Sequence, residues 1–72
     1  MAYDYNKLRG RIIEKFKTYS AFAEAIGVTI QTVSAKLNGK NGFSQEDIET
    51  WAEFLDIDRD EYPVYFFKTK VQ

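Results

Sequence analysis

A chain of 72 residues with 44% hydrophobic and 29% charged side chains has the size and balance of one small globular domain, without the bias of disordered, collagenous or membrane-spanning chains. It contains no cysteine and no histidine, which excludes disulfides, thiol nucleophiles, zinc-finger spacings and the commonest acid-base side chain together. The net charge of -1 conceals a split: residues 1–43 carry seven Lys/Arg against three acids, whereas residues 44–61 carry eight acids against Arg59 alone.

A domain this short buries only about 60% of the surface its unfolded chain exposes, and its core leaves roughly 3–5 kcal/mol of net stability. The 17% aromatic share is expected to do what covalent staples do elsewhere, since each ring buries a large apolar area. No run of about 18 apolar residues exists, and the start MAYDYNKLRG lacks the apolar stretch of a signal peptide, so a cytoplasmic location is expected.

The first segment, residues 5–17, places Leu8, Ile12 and Phe16 four apart with Ile13 beside them, the stripe of an amphipathic helix. Asp4 stands where an N-cap belongs, and Gly10 weakens the helix without an evident reason. A second helix, residues 19–26, follows a cap at Thr18 or Ser20, puts Phe22, Ala23 and Ile26 inward and stops at Gly27. A third opens after Thr29, turns Val33 and Leu37 inward, and ends at Asn38-Gly39. After a polar loop, Ser44 to Asp47 read as a capped helix start, followed by Ile48, Trp51, Ala52 and Leu55 on one face. Residues 56–62 read as a short helical turn ended by Pro63, and residues 64–71, dense in β-branched and aromatic side chains, as a β-strand.

Ala23, Gly27 and Val33, followed by Leu37-Asn38-Gly39-Lys40, form a spacing with a steric logic: a small residue where two helices approach, a positive φ at the turn, and a core anchor beyond it. Over residues 20–40, and on into the Ile48/Trp51/Leu55 helix, the chain resembles the phage-repressor, Cro-like helix-turn-helix family, a match that covers residues 5–62. Lys36 departs from it, standing where the family places an apolar residue. The resemblance implies a single mainly α domain over residues 1–72: a compact five-helix, lambda-repressor-like DNA-binding fold, here with the C-terminal strand added.

It further implies a sequence-specific regulator of a phage or prophage, of the repressor type, whose third helix enters the major groove of double-stranded DNA. Ile30, Gln31, Ser34 and Ala35 are the expected base contacts: Gln31 can pair with adenine, Ser34 with either a donor or an acceptor, and Ile30 and Ala35 with thymine methyls. Thr18, Tyr19, Asn38, Lys40 and Asn41 are the expected phosphate contacts. The acids 46–61 are expected to face away from the nucleic acid. Val64, Tyr65, Phe66 and Phe67 are the expected dimerisation residues, because a lone strand needs a partner: the same strand of a second copy, or the N-terminal residues around Ala2-Tyr3. No catalytic group, metal, cofactor, small-molecule ligand or membrane is expected to take part, and the chain is not expected to be an enzyme. The competing reading is a protein-interaction module on the same fold, of antirepressor or antitoxin-like kind.

Overall fold

The computed structural model describes residues 3–68 and consists of five helices in the order α1 (Asn6–Phe16), α2 (Tyr19–Ile26), α3 (Ile30–Leu37), α4 (Gln45–Leu55) and α5 (Tyr62–Phe66), with a 3₁₀ turn at Arg59–Glu61 before the last. Local chemistry sets most of the boundaries. Thr18 Oγ1 accepts from the Ala21 amide at 3.0 Å and Thr29 Oγ1 from the Thr32 amide at 3.2 Å, so each hydroxyl satisfies a first-turn donor. Gly27 closes α2 in the left-handed region at φ +81, where a Cβ would be strained. Ser44 and Asp47 form a reciprocal capping box at the start of α4. Tyr5, not Asp4, holds the N-cap position of α1; the Asp4 carboxylate accepts from the Asn6 amide at 2.9 Å one residue earlier.

The helices close around a line of rings. Phe16 meets Phe22 at 5.3 Å between centroids, Phe22 meets Trp51 at 4.8 Å, Trp51 meets Phe43 at 4.8 Å and Phe43 meets Phe66 at 5.2 Å. The last three contacts are edge-to-face, the arrangement that ring quadrupoles favour. Leu8 and Ile12 from α1, Val33 and Leu37 from α3 and Leu55 from α4 fill the space around them and are buried.

The predicted strand over residues 64–71 is corrected: no strand is present among the described residues, and residues 62–66 are helix. Pro63 lies in the first turn, where its missing N–H costs nothing, so it begins this helix instead of ending the one before. Tyr62, Tyr65 and Phe66, at i, i+3 and i+4, turn towards the core, an arrangement that a strand with alternating faces cannot provide. Strand propensity gives way to that burial. Residues 69–71 of the predicted strand, and Ala2, lie outside the described residues. Beyond α5 the chain returns to its own N-terminal segment, where the Asp4 amide donates to the Lys68 carbonyl at 2.6 Å and Tyr3 makes an isolated β-bridge.

Replacing Trp51 or Phe22 by alanine is expected to cost about 3–5 kcal/mol, as much as the whole stability of a domain this size, so neither variant should show a cooperative melt like that of the parent. Gly10→Ala should do the opposite. Gly10 is exposed in the middle of α1 and an added Cβ meets nothing within 4 Å, so thermal denaturation should show a gain of up to about 1 kcal/mol. Acid should weaken the fold through Asp47, whose carboxyl is held below the ordinary aspartate value of 3.8 by its hydrogen bond to Lys36 and then by the Ser44 amide and hydroxyl. A depressed carboxyl contributes stability that is complete above the unfolded value and lost as pH falls through the folded one. Asp47→Asn should therefore lower stability near neutrality and flatten its decline below about pH 4 in denaturant titrations.

Candidate nucleic-acid interface

α2 and α3 are joined by the short turn Gly27–Thr29 and pack on each other through Phe22, Ala23 and Val33, with Ala23 buried where the two helices meet. This leaves the far side of α3 uncovered. Gln31 and Ser34 are exposed on it, whereas Ile30 and Ala35 are half-buried at its margins. Four of the residues expected at phosphates fall around the two ends of the pair. Asn38, Lys40 and Asn41 are exposed in the loop after α3, and Thr18 is exposed before α2 with its hydroxyl engaged as the cap. Tyr19 is half-buried and packs against the core, so its ring serves the fold first.

The basic half of the sequence is largely occupied within the molecule. Arg9 Nη2 donates to the Leu37 carbonyl at 2.8 Å and to Asn38 Oδ1 at 2.9 Å. Arg11 donates to the carbonyls of Leu55 and Asp56 at 2.8 and 2.9 Å and pairs with Glu14, while Lys15 pairs with Asp56 at 2.6 Å. Lys36 reaches Asp47 at 2.8 Å and the Gly42 carbonyl at 3.2 Å. Its side chain is only 14% exposed and its head lies 5.7 Å from the Phe43 ring centre, so the aliphatic stem is largely covered while the charge reaches its partners. Lys7 lies over the Tyr65 ring at 5.4 Å. Among the described residues, Lys17 and Lys40 are the two of these seven cations left without such a partner.

Three of these contacts serve helix ends. Arg9 satisfies the Leu37 carbonyl at the end of α3, and Arg11 and Lys15 hold the end of α4, where Asp56 takes the left-handed conformation at φ 55. Lys15 in turn holds the Asp56 carboxyl below its ordinary range, with Arg11 adding a smaller effect in the same direction. The roles of Arg9 and Arg11 were not legible in the sequence, because their acceptors lie 28 to 45 residues away.

The acidic run does not stand wholly apart from α3, because the Lys36–Asp47 pair ties the first turn of α4 to its last turn. Glu46, Glu49, Glu53, Asp58, Asp60 and Glu61 are exposed beyond that tie. Of the residues expected at a dimer contact, Tyr65 and Phe66 are buried in the core of their own chain, whereas Val64 and Phe67 remain 41% and 46% exposed. Among the described residues no group of three or more acids, histidines or cysteines is placed to hold a metal ion, and no helix is long and apolar enough to cross a membrane.

The solution structure of the modulator of repression (MOR) of the temperate bacteriophage TP901-1 from Lactococcus lactis is similar to this chain, with a TM-score of 0.84 and 40% sequence identity over 100% of this chain and 97% of that one. No curated protein sequence matches significantly. The family model described as "Protein of unknown function (DUF739)" matches residues 1–69, and the chain therefore belongs to that family.

Proposed function

We propose that the protein is a regulator in the repression switch of a temperate phage, and that it acts by placing α3 of a helix-turn-helix in the major groove of operator DNA. The observation that carries this reading is the uncovered face of α3: Gln31 and Ser34 project from a helix whose neighbouring position is the small Ala35, a surface that fits closely against base edges. The likeness to a phage modulator of repression supplies the circuit. Lys40 and Asn41 grip phosphate on one side, and Thr18 at the start of α2 on the other. With so few free cations the grip is weak, and affinity falls with salt along a shallow slope. Two copies supply what one lacks. Val64 and Phe67, with Tyr3 6.2 Å from the Phe67 ring, are the apolar surface left for such pairing.

A second reading is favoured by the engagement of Arg9, Arg11, Lys15 and Lys36 inside the fold and by the uncompensated acids of α4. On it, the protein modulates repression by binding another protein of the switch instead of DNA, as an antirepressor does.

Titration against specific and scrambled duplexes at several salt concentrations separates the two. For the groove reader, Gln31→Ala should lose about 1–3 kcal/mol on the preferred duplex and relax base choice at one position. Lys40→Ala should weaken all duplexes alike and reduce the salt slope by about one unit. No binding to any duplex at low salt, with sedimentation showing a folded chain, would leave the second reading standing.

A further inference from the structure

A groove of about 530 Å³ lies between α4 and α5, with Phe43, Ile48, Tyr62 and Phe67 as its apolar lining and Glu49 and Arg59 beside them. None of its lining residues belongs to α2 or α3, so it is separate from the face proposed to meet DNA. Its size is that of clefts that take a ligand. Phe67 is 46% exposed and Phe43 and Tyr62 are half-buried, so three rings still present apolar area to an occupant.

The surrounding charge restricts what that occupant is. Glu46, Glu49 and Glu53 stand at i, i+3 and i+7 of α4, one stripe about 10 Å long that passes the groove at Glu49. All three are exposed and without an ion pair among the described residues, as are Asp58, Asp60 and Glu61 next to Arg59 and Tyr62. Arg59 is the one cation of residues 44–61. A second copy is disfavoured here, because a two-fold pair sets the same patch against itself, acid against acid, with only Arg59 to offset them. No strand is present among the described residues to be extended by a partner strand. A helix laid along α4 meets both features, with an apolar face for the groove and a cation in each turn for the stripe.

We propose that this groove receives an amphipathic, cationic helix of another protein, whose apolar side chains seat against Phe43, Ile48, Tyr62 and Phe67 while Lys or Arg residues face Glu46, Glu49 and Glu53. The proposal stands whether or not α3 reads DNA. Phe67 also belongs to the surface offered above for the pairing of two copies, so docking and pairing compete for that ring.

Titration of the isotope-labelled full chain with two designed helical peptides, followed by NMR, tests it. One peptide has leucines on one face and lysines elsewhere; the other has glutamates in place of the lysines. The lysine peptide should bind, should move the amide resonances around Phe43, Ile48, Tyr62 and Phe67 most, and should weaken with salt. The glutamate peptide should bind at least about tenfold more weakly. Phe67→Ser and Glu49→Lys, both at exposed positions, should each weaken the lysine peptide about tenfold. Phe54→Ser removes a ring of α4 that is 41% exposed but does not line the groove, and should change affinity by less than about twofold. No binding of the lysine peptide, largest shifts elsewhere, equal binding of the two peptides, or unchanged affinity in Phe67→Ser or in Glu49→Lys overturns the proposal. So does a chain that sediments as a dimer and is dissociated by Glu49→Lys, since a second copy is then the occupant.

Discussion

Trp51 is the contact on which the other helices depend. It comes from α4, takes the edge of Phe22 from α2 on one side and of Phe43 from the loop on the other, and through Phe43 reaches Phe66 of α5. A chain with no disulfide and a core of this size needs large rings, because small aliphatic side chains would bury too little area to offset the entropy of ordering the backbone. The same contact positions the candidate site: Phe22 fixes α2 on the core, and α2 carries the turn that aims α3.

Charge does the work of fastening. Four cations of the basic half reach carbonyls or carboxylates at helix ends, and two of them meet at the last turn of α3: Arg9 reaches it from α1, and Lys36 reaches out from it to α4. Surface pairs of this kind add little stability singly. Their geometric effect is larger, since they fix where α3 ends and how the loop to Phe43 leaves it. A charge sum taken from the sequence counts these groups as a field available to a partner, whereas in the folded chain Arg11, Lys15 and Lys36 are each paired with a carboxylate.

The first four helices were legible because their signals are local. Thr18, Gly27, Thr29 and Ser44 each act within one turn of chain, and the inward stripes of α1 to α4 follow the helical period. α5 was not legible, because Val64 to Phe67 has strand propensity and its helical state is decided by the pocket that receives Tyr65 and Phe66. The exposed face of α3 followed from the same periodicity that hid Val33 and Leu37. What Ser34 and Asn38 meet could not be read that way, since Arg9 lies far off in sequence and its reach depends on how α1 crosses the end of α3. The sequence also suggested that residues 64–67 would act as a unit, and the fold divides them between core and surface.

The bond from the Asp4 amide to the Lys68 carbonyl joins residues near opposite ends of the chain. Closing so long a loop carries an entropy cost when the chain is open and little once the helices between have packed, so this contact is expected to form late in folding. Interactions absent from the transition state act on the rate of unfolding and leave the rate of folding nearly unchanged. Loss of this contact is therefore expected to quicken unfolding, and the two ends to be a place where the fold opens at low cost.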